Sequence, residues 1–354
     1  MKVGILTFPH SPSLGAMLQM GSLYHTIQEM GHEVEIINYV SSNVNHKKKK
    51  PLTIKSLLIR ILSKIFLKNS LVSYKEFESK LKMFPEQPIS ESREMEKIVS
   101  HFDRIIVGSD QVWNPVVTGH DLNFYLEFCS DTGKKASYAA SFGYMQADQE
   151  YTDRISELLN DFKFLSVREK DGQQIIKQLT GRDAELVLDP TLLVKTDYLR
   201  NLIEPTKRTK KYVLFFCIKP SKKLYNIAKK YAEKHNYELV TIGGRMKDRF
   251  DFRKHPVYGV GPKEFLGLVD SAECVFTNSF HGMAISVVLH RDFFVEFSSE
   301  TNSRLINLTD LLELKDRIVK DEIPYEREIN YKNVNKILER ERTKSRKYLN
   351  MVLR

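Results

Sequence analysis

The densest chemistry in this sequence lies at Thr277-Asn278-Ser279-Phe280-His281-Gly282. The apolar run Cys274 to Thr277 reads as a strand and Met283 to Leu289 as a helix, so His281 falls at a strand-to-helix turn. Backbone N–H groups that open a helix favour anions, and imidazole is the side chain whose ordinary pKa allows proton transfer near neutrality. The plainer reading makes His281 a cap or a filler of the turn.

Three other loops carry polar residues directly after apolar strands. Ser166-Val167-Arg168-Glu169 places an arginine at a strand end, where a guanidinium can hold a carboxylate or phosphate bidentately. A structural ion pair, with Glu169 or between domains, explains the same spacing. In Gly108-Ser109-Asp110-Gln111-Val112-Trp113-Asn114-Pro115, six of eight residues are polar, glycine or proline, which suits a hydroxyl-rich ligand. A capped turn, with Asp110 and Asn114 bonded to local backbone, is the alternative. Pro9 to Gln19 enters a helix through Ser13-Leu14-Gly15-Ala16, where small residues let backbone N–H groups approach a ligand, although it is not a G-x-G-x-x-G.

These loops need a frame. Residues 2–8 read as a strand, 14–30 as a helix with Leu14, Met17, Leu18, Leu23 and Ile27 facing the core, Gly31 as its stop, and 33–39 as a second strand. That βαβ unit implies a parallel sheet. Residues 41–95 interrupt it: after Lys47-Lys48-Lys49-Lys50, a basic amphipathic helix spans 55–68, with Leu57, Leu58, Ile61, Leu62, Ile65 and Phe66 on one face. It reads as packed on its own domain or as an anionic-lipid contact. Strands then recur at 104–108, 135–141, 164–167 and 186–188, and a polar, basic linker follows at 201–211. The second half alternates again: strand 212–218, helix 222–235, strand 238–243, helix 262–271, strand 274–277, helix 283–289, strand 293–297, and a basic last helix near 333–353. The fold class is therefore α/β, with two doubly wound Rossmann-like domains facing across a cleft: 1–200 with an insertion at 41–95, then 201–330, then a C-terminal helix at 331–354. In such sheets ligands bind outside the carboxyl ends of the strands, which selects the four loops above.

Composition narrows the class. The chain has 354 residues, 42% hydrophobic and 28% charged, as expected of a globular protein of about two domains. No apolar run approaches the roughly 18–20 residues that span a bilayer, and the first residues read as a buried strand rather than a leader. Cys129, Cys217 and Cys274 are widely separated and odd in number, which fits a reducing cytoplasm better than a disulfide framework. The net charge of +10 points to anionic partners or to a solvated basic surface. Nucleic acid is not indicated: no zinc-finger spacing or RNA-recognition signature is present, and there is one tryptophan.

Taken in order, Gly15-Ala16-Met17-Leu18-Gln19, Gly108 to Asn114, Tyr138-Ala139-Ala140-Ser141-Phe142-Gly143, Ser166 to Glu169, Leu188-Asp189-Pro190-Thr191, Thr277 to Gly282 and Ser303-Arg304-Leu305 resemble the polysaccharide pyruvyl transferase family. Two positions depart from the family pattern: Ser13-Leu14, where Asn-Tyr is common, and Asn278, where aspartate is frequent. The resemblance implies a GT-B-like fold with the site in the interdomain cleft. It implies phosphoenolpyruvate as donor and co-substrate, a sugar or lipid-linked oligosaccharide as acceptor, a cyclic ketal as the usual product, and no metal or other cofactor. On this reading His281 is the general acid/base. Arg168, Arg304, Ser279 and Gly282 hold the donor, and Asp110, Gln111, Asn114, Gly15 and Gln19 face the acceptor. The expected place of work is the cytoplasm, with a peripheral contact at the inner membrane face through 55–68. A GT-B glycosyltransferase using a nucleotide sugar and a non-catalytic glycan-binding member of a synthesis complex are the alternatives.

Overall fold

A computed structural model of the chain describes residues 1–43, 70–143, 149–242, 257–297, 303–320, 322 and 327–354. The lysine run at 47–50 and the basic helix at 55–68 lie outside the described residues. Along the chain the elements are β1 (Lys2–Leu6), α1 (Leu14–Glu29), β2 (Glu33–Tyr39), a helical stretch at 70–78 (α2), β3 (Met83–Ile89), α3 (Ser92–Ile98), β4 (Arg104–Val107), α4 (Pro115–Thr118), β5 (Lys135–Ser137), α5 (Gln149–Asn160), β6 (Ser166–Val167), α6 (Lys170–Thr180), β7 (Glu185–Leu186), α7 (Pro190–Leu193) and α8 (Thr196–Asn201). They continue with β8 (Tyr212–Phe216), α9 (Lys222–Lys234), β9 (Glu238–Thr241), α10 (Pro262–Asp270), β10 (Cys274–Thr277), α11 (Phe280–Val288), β11 (Phe293–Val295), α12 (Ser303–Leu311) and α13 (Tyr331–Val352).

Two compact units result. The first comprises residues 1–49, 78–193 and 338–354, and the second comprises 50–77 and 194–337. The division differs from the expected 1–200 and 201–330. Residues 50–77 go to the second unit, where Ser73 Oγ donates to the Glu264 carboxylate at 2.6 Å and Lys263 pairs with Glu76. The rest of the expected insertion supplies β3 and α3 to the first unit.

In the first unit five parallel strands run in the order β3-β2-β1-β4-β5. β3 was not foreseen, because Met83-Phe84-Pro85-Glu86-Gln87-Pro88-Ile89 carries two prolines, which only an edge strand tolerates. The serines of β5 and β6 bond side chain to backbone where the ladder thins to isolated bridges: Ser137 Oγ to the Ser166 carbonyl at 3.0 Å and Ser166 Oγ to the Ser137 carbonyl at 2.8 Å. The C-terminal helix closes this unit, with Tyr348 Oη donating to the Ser137 carbonyl and Arg342 Nε to the Leu192 carbonyl. The core-facing positions read in α1, namely Leu14, Met17, Leu18, Leu23 and Ile27, are all buried.

The second unit is built on four parallel strands in the order β11-β10-β8-β9, with Val213, Phe276, Phe294, Leu224 and Ala228 in its core. Among the described residues no helix is long and apolar enough to cross a membrane.

Candidate active site

Each of the two larger sheets has one point where the strand order reverses, and that is where a doubly wound fold opens a crevice. In the first unit it lies between β1 and β4, and in the second between β8 and β10. Three of the four loops singled out by their chemistry leave the strands that flank these points, β1, β4 and β10, and the fourth, after β6, reaches the first point through Arg168.

At the first point the end of β1, the start of the loop after β4 and helix α1 are tied into one ring. Gln19 Nε2 donates to Thr7 Oγ1 at 3.0 Å, Thr7 Oγ1 donates to the Ser109 carbonyl at 3.1 Å, and the Ser109 N–H donates to Gln19 Oε1 at 3.1 Å. Gln19 is fully buried and shapes the loop through these bonds. Gly15 is likewise buried in the first turn of α1, behind the Ser13 cap. Gly108 has φ +121°, a conformation glycine adopts readily, and a β-carbon there would collide with the Tyr138 carbonyl.

Arg168 is the hub of this region. Its Nη1 donates to Asp189 at 2.6 Å and its Nη2 to Asp110 at 2.9 Å, while Nε lies 3.7 Å from Glu169. Ser109 Oγ sits 3.0 Å from Asp189 and 3.4 Å from Arg168 Nη1. Asp189 in turn accepts from the N–H and hydroxyl of Thr191, and Glu169 accepts from the Phe142 N–H. Burial works against the Arg168 charge, but Asp189, Asp110 and Glu169 more than reverse that and hold its pKa above the ordinary value. One guanidinium thus faces three carboxylates with only 1% of its side chain exposed. The Arg168 groups bonded here thus meet carboxylates of its own unit. Five of the seven short motifs meet in this network, through Gln19, Ser109 and Asp110, Ala139 and Phe142, Arg168 and Glu169, and Asp189 and Thr191.

The neighbouring polar residues divide. Asn114 caps α4, accepting from the Val116 N–H at 3.0 Å, and its Nδ2 donates to Gln111 Oε1 at 2.7 Å. This is the capped turn that the sequence left open. Asp110 keeps 15% of its side chain exposed, and Gln111 is half-buried. Trp113 anchors the loop from behind, buried against Tyr125, Phe142 and Phe162.

The second point is built differently. Ser279 caps α11, its Oγ accepting from the Gly282 N–H at 3.2 Å, and its own N–H donates to Thr277 Oγ1 at 3.0 Å. The helix therefore starts at Phe280, three residues before the expected Met283, and His281 stands in its first turn. The His281 ring lies edge-on to Phe280, 5.2 Å between centroids, and the residue is 8% exposed. Gly282 lets the helix sit close on the sheet: a β-carbon would lie 2.5 Å from Thr277 Oγ1 and 3.2 Å from Phe216. Its N–H serves the cap, while the Ser279 hydroxyl keeps a proton to donate. Arg304 is half-buried in the first turn of α12, which packs against α11. Thr7, Ser109 and Asp189 were not singled out from sequence, although the last two lie inside the quoted motifs.

Solved structures share this architecture. The UDP-GlcNAc 2-epimerase of Methanocaldococcus jannaschii aligns over 96% of this chain and 92% of its own at a TM-score of 0.51 and 14% identity. The Neisseria meningitidis UDP-GlcNAc 2-epimerase bound to UDP-GlcNAc aligns over 99% and 94% at 0.51 and 11%, and the S. aureus MnaA–UDP structure over 96% and 87% at 0.52 and 12%. At these identities the likeness is one of fold: α/β, of the GT-B kind. No curated protein sequence matches the chain significantly. The family profile of the polysaccharide pyruvyl transferases matches residues 14–295, and the chain belongs to that family.

Proposed function

We propose that the chain moves a pyruvyl group from phosphoenolpyruvate to a pair of sugar hydroxyls in a cell-surface polysaccharide or its precursor. The observation that supports this most directly is His281. It is an imidazole in the first turn of a serine-capped helix, at the reversal point of a parallel sheet, inside the region matched by the family profile.

The chemistry asks for a proton donor near an anion site. Protonation of the methylene carbon by His281 makes C2 cationic, and a sugar hydroxyl attacks C2 and returns its proton to the imidazole. Phosphate leaves C2, a second hydroxyl closes the ring, and its proton goes to the departing phosphate. Two hydroxyl protons are consumed, one in the new methyl group and one on phosphate, so the exchange balances. Ser279 and the opening turn of α11 suit the donor's negative charge, with Arg304 on the neighbouring helix. In the first unit Asp110, bonded to Arg168, keeps an exposed carboxylate edge that suits a sugar hydroxyl.

The test is purified protein with labelled phosphoenolpyruvate and a panel of nucleotide- and lipid-linked sugars. Phosphate release with transfer of label is expected. Release of a nucleoside diphosphate from an otherwise unmodified nucleotide sugar overturns the reading in favour of glycosyl transfer, and binding of glycan without turnover overturns it in favour of a non-catalytic role.

A further inference from the structure

We infer that Asn278 is a positioning residue for the donor site and that the loop it holds presents Lys219 as a cation for the donor's carboxylate or phosphate. This rests on the phosphoenolpyruvate reading above. β8 and β10 are neighbours on the two sides of the reversal point, so the loops that leave them share one edge of the sheet. Asn278 is the first residue after β10. Its Oδ1 accepts from the Ile218 N–H at 2.9 Å and the Lys219 N–H at 3.4 Å, and its Nδ2 donates to the Lys219 carbonyl at 2.7 Å.

A carboxamide is the side chain that can both accept and donate in that way. It matches the Ile218–Lys219 stretch group for group and fixes it against the residue that precedes the Ser279 cap. Lys219 is thereby brought beside the turn that carries His281, with its side chain exposed on the loop. Phosphoenolpyruvate carries two or three negative charges near neutrality. Arg168 is enclosed by carboxylates in the first unit, so the second unit needs cations of its own, and Lys219 stands at the right edge to join Arg304. Aspartate at 278 would lose the donor and set a carboxylate against the Lys219 carbonyl.

Isothermal titration of phosphoenolpyruvate into the native protein, Lys219→Ala, Asn278→Ala and Asn278→Asp between pH 5 and 8 tests this, each variant being compared with the native protein at the same pH. Lys219→Ala should weaken binding about 10- to 100-fold, the usual effect of removing a charged hydrogen-bond partner. Asn278→Ala should be weakened at every pH. Asn278→Asp should be weakened across this range, where its carboxyl is ionised and has no proton for the Lys219 carbonyl, and Asn278→Ala combined with Lys219→Ala should bind little more weakly than Lys219→Ala alone. Native affinity in Lys219→Ala, or fully additive losses in the double variant, overturns the inference while leaving the donor reading intact. Failure of the native protein to bind phosphoenolpyruvate overturns both.

Discussion

The two reversal points have the same topology and opposite construction. Between β1 and β4 the polar groups face each other: Gln19, Thr7 and Ser109 close a ring, and Arg168 is enclosed by Asp110, Glu169 and Asp189. Between β8 and β10 the polar groups serve a capped helix start instead: Thr277 and Ser279 accept from N–H groups of the turn, Asn278 holds the loop after β8, and His281 stands in the first turn. Motif density therefore does not mark the reacting groups by itself. The larger share of the short motifs serves a buried scaffold that fixes the outward edge of one residue, Asp110, and the smaller share carries the group suited to proton transfer.

Removing the central side chain on each side separates these roles. His281→Ala should lower kcat by about 10²–10⁴-fold, the usual worth of a general acid–base group, with the unfolding midpoint little changed. Normal turnover by a folded variant would remove His281 from the chemistry. Arg168→Ala should do the reverse. It leaves two buried carboxylates, Glu169 and Asp189, and the partly exposed Asp110 without their counter-charge and should destabilise the first unit by about 3–5 kcal/mol in denaturant unfolding. A stable Arg168→Ala protein with a selectively raised KM for phosphoenolpyruvate would restore the direct donor contact and erase the contrast.

That contrast was only partly legible in the sequence. The βα alternation follows from apolar runs and their spacing, and each expected strand overlaps an observed one, but the strand order, and with it both reversal points, comes only from the structure. Their ends are overextended, as at 135–141 against Lys135–Ser137, because the apolar run continues through Tyr138-Ala139-Ala140, buried like a strand, while Ala139 turns the backbone out of it at φ +50°. β3 was hidden by its prolines. The partners of Arg168 were not readable, since the main ones lie 58 and 21 residues away and only the fold brings them together. Asn278 stood out as a departure from the family pattern, but its partners, Ile218 and Lys219, could be named only from the structure.

A smaller effect probes how closely the second point is packed. Gly282→Ala places a methyl group 2.5 Å from Thr277 Oγ1 at the base of the capped turn. Overpacking of this kind typically costs about 1–3 kcal/mol, and here it should tilt the start of α11 and lower kcat along with stability. A Gly282→Ala protein as stable and as active as the native one would show that the turn has slack and that the close approach of helix to sheet is not what sets His281.

The smallest expected effect lies at the rim of the first point, in the loop that leaves β1. His10 is held there on both ring nitrogens: Nδ1 is 3.1 Å from a Glu78 carboxylate oxygen, and Nε2 is 2.8 Å from Asn38 Oδ1. The Asn38 amide cannot turn round without loss, because its Nδ2 donates to the Pro85 and Glu86 carbonyls. Both partners of the ring are therefore acceptors, and the imidazole is satisfied only when both nitrogens carry protons. The bond to Glu78 raises the His10 pKa above its ordinary 6.5, against a smaller opposing effect of burial. A raised folded-state pKa contributes stability that is complete below the unfolded value and is lost as pH rises through the folded one. Native stability relative to His10→Gln should thus be greatest at pH 5–6 and decline above about 6.5. Partial exposure of the ring keeps the change small. Paired unfolding curves measured across that range check it, and a native-minus-variant difference that does not change with pH would show that the neutral ring is held equally well and that the rim of this otherwise buried network carries no proton-dependent contact.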